Sequence, residues 1–158
     1  GPHTQIVVQS VIENALSLTA EQFRLQNIDL VYEKPDQDIV VSGRKLELEQ
    51  AILQVLNNAE YAVNTFKPSA HKQIAISLSG DAAGAKIEIS DSGAGISPHT
   101  LPYLFDPFFT TKETGEGTGL GLSVTYKLLT DMGASISAAN SPRGGARFTI
   151  QFPPINEG

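Results

Sequence analysis

The spacing of apolar residues changes several times along the chain, and each change marks an element. Val8, Val11, Ile12, Ala15, Leu16 and Phe23 recur at helical intervals between Gln5 and about Leu25 and predict a first helix. Ile28-Asp-Leu-Val-Tyr-Glu33 and Ile39-Val-Val41 read as two strands joined by the polar turn Lys34-Pro-Asp-Gln-Asp38. Arg44 to Phe66 carries the longest helical pattern, with Leu46, Leu48, Ile52, Leu53, Val55, Leu56, Ala59 and Val63 on a broad apolar face and Lys67-Pro68 placed to close it. Gln73–Leu78 and Lys86–Ser90 alternate strictly across the turn residues Ser79 to Gly84, which predicts a hairpin with one buried face. Leu120 to Met132 returns to helical spacing, with Leu122, Tyr126 and Leu129 on one stripe and Gly133 as its stop. Ser135–Ala139 and Ala146–Phe152 form a second hairpin through Ser141 to Gly145. Periodicity fails only from Asp91 to Gly119, apart from a short helical turn near Thr100–Leu104; loops longer than about 12–15 residues are usually functional or disordered.

Composition narrows the classes. At 158 residues the chain reads as one domain over residues 4–158, with residues 1–3 set aside as a tag remnant because Gly1-Pro2 resembles a cleavage scar. The absence of cysteine removes disulfides, thiolate metal sites and cysteine nucleophiles, and His3, His71 and His99 have no ligand spacing. A net charge of −6 without a basic cluster argues against nucleic acid. No apolar run approaches the roughly 20 residues of a membrane span, so a soluble, cytoplasmic domain without direct membrane contact is expected.

Three polar features interrupt the apolar pattern. Gly115-Glu-Gly-Thr-Gly-Leu-Gly121 feeds the N-terminus of a predicted helix, where free N–H groups and a partial positive charge suit an anion, although a flexible loop is the plainer reading. Asn57 and Asn58 lie inside the long helix, where asparagine is a poor helix former. Asn57 is expected to face water, whereas Asn58 borders the apolar stripe and can either do the same or turn an amide oxygen toward a hard cation. Asp91-Ser-Gly-Ala-Gly-Ile96 follows a strand directly; its aspartate can accept a hydrogen bond from an exocyclic amine or close an ordinary Asx turn. Neither a P-loop nor a dinucleotide fingerprint is present.

Taken together, Leu56-Asn-Asn-Ala-Glu-Tyr-Ala62, Asp91-Ser-Gly-Ala-Gly-Ile96, Leu104-Phe-Asp-Pro-Phe-Phe-Thr-Thr-Lys112, Gly117-Thr-Gly-Leu-Gly-Leu-Ser123 and Gly144-Gly-Ala-Arg-Phe-Thr-Ile150 resemble the N, G1, F, G2 and G3 boxes of the catalytic ATP-binding domain of bacterial sensor histidine kinases, nearest to the nitrogen-sensor-like branch. The resemblance implies an α+β fold, the two-layer sandwich of the Bergerat superfamily that also holds gyrase, Hsp90 and MutL, with a mixed, mostly antiparallel sheet of about five strands on three helices. It implies ATP and Mg²⁺ as cofactors, with Asn58 as metal ligand and Gln54 one turn before it. Asp91 would take the adenine amine, Gly93, Gly95 and Ile96 would line the ring, and Thr149 would support it through water. Gly117, Thr118, Gly119, Leu120, Gly121 and Leu122 would wrap the phosphates, with Lys112 as a nearby cation. Residues 97–116 would form a lid, with Phe105, Phe108 and Phe109 anchoring it or docking a partner. The implied partners are a dimerisation domain carrying the phosphoacceptor histidine and, downstream, a response regulator.

Two positions depart from the family pattern. Gln54 and Tyr61 stand where an asparagine and a basic residue are common, which leaves Arg143 or Lys127 as alternative phosphate contacts. None of the three histidines has the setting of a phosphoacceptor, so the chain is expected to bind ATP and phosphorylate a residue it does not contain. The alternatives are an ATPase of the same superfamily, which needs a glutamate base where Gln54 stands, or a nucleotide-binding docking module without transfer.

Overall fold

The computed structural model describes residues 2–66, 71–107 and 121–155. The order is β1 (Thr4–Val7), α1 (Val8–Leu25), β2 (Ile28–Glu33), β3 (Val40–Gly43), α2 (Lys45–Thr65), β4 (Lys72–Asp81), β5 (Gly84–Asp91), α3 (Gly121–Asp131), β6 (Ser135–Asn140) and β7 (Ala146–Phe152), with one 3-10 turn at Leu101–Tyr103. Five strands form a mixed sheet in the order β2-β4-β5-β7-β6, in which only β2 and β4 run parallel. Parallel neighbours require a long crossover, and β3 with α2 supplies it.

The strands alternate, so one face of the sheet is apolar. Ile74, Ile76, Leu78, Ile87, Ile89, Phe148, Ile150 and Phe152 point into the core, while Ser79, Lys86 and Gln151 are exposed on the other face. All three helices cover the apolar face, giving the expected two-layer α+β sandwich. Helix α2 lies centrally with Leu48, Ala51, Ile52, Val55, Leu56, Ala59 and Val63 buried. Leu46, expected on that stripe, is 76% exposed, because at 100° per residue it sits about 160° round the helix from Leu48, which is fully buried in the same turn.

The N-terminal end differs from a helical reading of residues 5–7. Residues 4–7 are not helical but form β1, paired antiparallel with β3 in a separate two-stranded sheet, and α1 starts only at Val8. Strands β2 and β3 do not pair with each other. The cause is Gln9: its buried amide donates to the Gln37 carbonyl at 2.9 Å and accepts the Ile39 N–H at 2.9 Å, while Val8 N–H reaches the Ile39 carbonyl at 2.8 Å. These bonds draw β3 across to the start of α1 and leave β2 to find β4. Helix α1 ends at Leu25 and is followed by the cap Gln26 and by Asn27, the latter in the left-handed region at φ 61°, which asparagine tolerates better than most residues.

Elsewhere the elements match their predicted positions with longer strands. The first hairpin shortens its turn to Ala82-Ala83, closed by Asp81 Oδ1 accepting the Ala83 N–H at 2.7 Å. In α3 the buried positions are Thr125 and Leu129, whereas Tyr126 is 45% exposed. Thr125 can be buried because its hydroxyl donates to the Gly121 carbonyl at 2.8 Å. Among the described residues no helix is long and apolar enough to cross a membrane.

Leu56 is fully buried between α2 and the sheet, so Leu56→Ala is expected to destabilise the fold by about 2–5 kcal/mol through lost burial and a residual cavity. Leu46→Ala is expected to stay within about 0.5 kcal/mol of the parent. Urea unfolding of the two variants checks the placement of the apolar stripe, and equal losses would contradict it.

Candidate functional site

One flank of α2 organises the site. Gln54, Asn58 and Ala62 are four residues apart and therefore share a line along the helix, about 12 Å from first to last at 1.5 Å per residue. Each end of that line touches a glycine. A Cβ on Gly121, the first residue of α3, would lie 2.6 Å from Gln54 Nε2, and a Cβ on Gly93 would lie 2.8 Å from the Ala62 carbonyl oxygen. The start of α3 and the loop after β5 thus approach the same helix from its two ends, with Asn58 between them. Asn58 is half-buried and Asn57 exposed, as the apolar border at Asn58 suggests.

Asp91 closes β5 on the core-facing side and is only 7% exposed. Its Oδ1 accepts two backbone N–H groups, from Gly93 at 2.8 Å and from Ala146 at 3.3 Å. The first of these is the Asx turn weighed in the sequence. Both bonds use the same oxygen, Oδ1. Burial pushes the Asp91 carboxyl above its usual range, and the two N–H bonds oppose that without cancelling it.

Around Asp91 the chain is tied down. Ser92 extends the β4 pairing with its side chain, accepting the Gln73 N–H at 2.9 Å and donating to the His71 carbonyl at 3.0 Å. Gly145, at φ +80°, passes so close that a Cβ there would fall 1.8 Å from the Asp91 carbonyl oxygen. Gly95 adopts φ +87°, and Ile96 is held through its backbone by Asn140. Gly93 and Gly95 are therefore required first by contacts within the protein. Beyond them Phe105 stacks edge-on against Phe148 at 6.3 Å and tilted against Tyr126 at 5.9 Å, so this aromatic anchors its segment on β7 and α3.

Not every expected residue arrives. Thr149 pairs with Glu88 and Ser137 on the sheet face opposite Phe148 and Ile150, away from the helices, so it is not brought to Asp91. The β7 group that does reach Asp91 is the Ala146 N–H, which sequence reading missed along with Asn140. Strand alternation was the available signal for Thr149, since it lies between two core residues. Leu122 is half-buried beside Gly121 at the start of α3. Lys112, Gly117, Thr118, Gly119, Leu120, Phe108 and Phe109 lie outside the described residues. Of the alternative cations, Lys127 pairs with Asp131 at 3.4 Å across one turn of α3, and Arg143 sits in the β6–β7 turn.

Residues 43–156 match the family model described as histidine kinase-, DNA gyrase B-, and HSP90-like ATPase. The chain is similar to the two-component sensor PprA of Pseudomonas aeruginosa, 37% identical over 91% of this chain and 16% of that protein. It is also similar to the sensor histidine kinase ZraS of Escherichia coli O157:H7, 33% identical over 92% of this chain and 30% of that protein. The chain thus spans less than a third of the length of these relatives. Among solved structures it superposes on the catalytic domain of the histidine kinase ThkA with a TM-score of 0.84 and 27% identity, covering 97% of this chain and 96% of that one. A crystal structure of ThkA in complex with the response regulator protein TrrA shares the fold at a TM-score of 0.78 and 24% identity, over 97% of this chain and 42% of that one.

The Asp91 environment sets a pH dependence. Burial disfavours the carboxylate, so the folded chain keeps this proton to higher pH than the unfolded chain, whose carboxyl titrates near 3.8. As pH rises from that value through the raised folded one, the unfolded state ionises first, and stability is lost and stays lost above the window. Asp91→Asn retains an Oδ1 acceptor for both N–H groups and carries no charge. It is therefore expected to exceed the parent in urea midpoint at pH 7, with the gap narrowing as pH falls toward 4. A gap that is absent at pH 7, or that widens on acidification, would contradict the cost of burying this charge.

Proposed function

The chain belongs to the histidine kinase-, DNA gyrase B- and HSP90-like ATPase family, as the catalytic ATP-binding domain of a two-component sensor histidine kinase, and from that premise we propose how its residues bind Mg²⁺-ATP for phosphoryl transfer. The observation that carries the reading is the α2 line from Gln54 through Asn58 to Ala62, with the start of α3 at one end and the Asp91 loop at the other. One end suits phosphates and the other a base.

At the base end, Asp91 accepts the exocyclic amine of adenine through Oδ2, its Oδ1 being held by Gly93 and Ala146. At the phosphate end the N-terminus of α3 and the glycines before it offer N–H groups and a positive dipole end to the anion. The parts assigned to Lys112, Gly117, Thr118, Gly119 and Leu120 rest on their sequence pattern alone. Asn58 would hold Mg²⁺ through its amide oxygen, and the ion when bound would neutralise phosphate charge. The fit is chemical: an amide oxygen is a hard donor of the kind Mg²⁺ takes, with substrate phosphates and waters for the rest.

With such a site the protein contributes mainly position and electrostatics. The γ-phosphoryl group passes to an imidazole nitrogen of a histidine on a separate dimerisation domain; the bond to the β-phosphate oxygen breaks as the N–P bond forms, ADP leaves, and the imidazole proton passes to solvent. Relay to a response regulator follows, a partnership seen for ThkA and TrrA. This reading puts the domain in the cytoplasm, where ATP is available. An ATPase reading is disfavoured because Gln54 has no basic group near neutral pH with which to activate water.

Asn58→Ala is expected to remove the Mg²⁺-dependent part of ATP affinity, whereas Asp91→Ala should weaken ADP and ATP alike by about tenfold or more, with or without Mg²⁺. Calorimetric titration checks both roles, and unchanged affinity removes whichever is tested. Mixing the chain with its parent's dimerisation domain and labelled ATP should yield acid-labile phosphohistidine. Nucleotide binding without that product would instead favour a docking module, and hydrolysis of several ATP per minute by the domain alone would favour an ATPase.

A further inference from the structure

The loop from Asp91 to Ile96 must keep its shape if Asp91 is to read a base, and both of its ends are fastened to one rung of the sheet. We infer that Asn140, the last residue of β6, is a positioning residue for nucleotide binding, fixing the exit of this loop as Ala146 fixes its entry. The inference rests on the nucleotide reading above.

Asn140 Oδ1 accepts the Ile96 N–H at 2.6 Å, and its Nδ2 donates to the Ile96 carbonyl at 2.7 Å. One carboxamide thereby takes both backbone groups of a residue 44 positions away, as a neighbouring strand would, although Ile96 belongs to no strand. Few side chains can do this. Aspartate lacks the donor, and a serine hydroxyl is too short to bracket a peptide unit from both sides. In the sheet register Asn140 stands opposite Ala146, whose N–H reaches Asp91 Oδ1 at 3.3 Å. A single β6–β7 rung therefore grips Asp91 at the start of the loop and Ile96 at its end. Between them Gly95 sits at φ +87°, and a Cβ there would come within 2.7 Å of Asn140 Oδ1, so the close approach of the amide is itself built into the loop.

Without Asn140 the loop would keep its entry and lose its exit. The base-reading geometry would then be populated only part of the time, and apparent affinity falls in proportion to the competent fraction. The effect belongs to the base end, so it should be the same for every adenine nucleotide and independent of Mg²⁺. A phosphate-end defect would differ.

The test titrates ADP and ATP, with and without Mg²⁺, into the 158-residue chain and its Asn140→Ala and Asn140→Asp variants. Both are expected to bind about tenfold more weakly, by the same factor for all four ligands. Asn140→Asp keeps the shape and charges the donor position, so it separates the hydrogen bond from packing. Amide exchange at Ile96 should speed up in both variants while the thermal midpoint stays near that of the parent. Affinities within twofold of the parent, a loss confined to Mg²⁺-ATP, or a loss that tracks the thermal midpoint in both variants would overturn the inference. Failure of the nucleotide reading is distinguishable: there the parent itself would bind neither ADP nor ATP, and the inference would fall with it.

Discussion

Taking a carboxylate out of water costs several kcal/mol unless hydrogen bonds replace the solvent, and the site is arranged around meeting that cost at Asp91. Two backbone N–H groups converge on Oδ1, one from the loop that follows and one from the start of β7. To bring the second N–H there, the β6–β7 turn must pass almost in contact with the Asp91 backbone, which only a glycine at 145 allows. The aspartate therefore joins a loop, a strand end and a turn that are distant in sequence. The bonds do not fully compensate the burial, so its carboxyl remains easier to protonate than an exposed one.

Helix α2 provides the frame against which these pieces are set. Its core stripe runs through Ile52, Leu56, Ala59 and Val63, and its two flanks carry different polar work. The Asn58 and Ala62 flank faces the site. On the other flank Glu60 Oε2 accepts the side-chain amides of Gln22 and Gln26 from α1, both at 2.6 Å. Asn64 bonds to Gln26 and accepts Lys72 Nζ at 3.0 Å from the start of β4. At 100° per residue, positions 58 and 60 lie on either side of Ala59, so the network holds one flank and Asn58 lies on the other. Individually such exposed bonds are worth about 0.5–1.5 kcal/mol, but together they fix helix rotation, and rotation decides where Asn58 points.

Legibility in the sequence follows the range of the forces involved. Helix α2, the β4–β5 hairpin and the β6–β7 hairpin are written in short-range periodicity, and they fold where the periods place them. The first strand is not legible because Ile6 and Val8 satisfy a period of two and also prolong the helical pattern that follows; the buried amide of Gln9 settles it by pulling β3 alongside. Thr125 and Tyr126 mislead for a local reason. The threonine hydroxyl finds its partner inside the helix, so the more apolar-looking tyrosine can turn outward onto Phe105. At the site, Asp91 and Asn58 stand out as polar residues in positions that apolar patterns would otherwise fill. Asn140 does not, because an asparagine ahead of Ser-Pro is ordinary turn chemistry and its partner lies 44 residues away.

The glycine run before α3 shows why neighbouring groups, not a helix N-terminus, identify a ligand. Any helix of this length offers free N–H groups and a partial positive charge to an anion, so that feature alone suits phosphate, sulfate or a carboxylate equally. What narrows the choice is the line along α2. Gln54 meets the first residue of α3, Ala62 meets the Asp91 loop two turns later, and Asn58 stands between. A nucleotide, anionic at one end and carrying a hydrogen-bond donor on a flat group at the other, matches that line, in keeping with the ATPase family to which the chain belongs. The same geometry also limits the chemistry, because the amide at Gln54 has no basic group with which to deprotonate water near neutral pH.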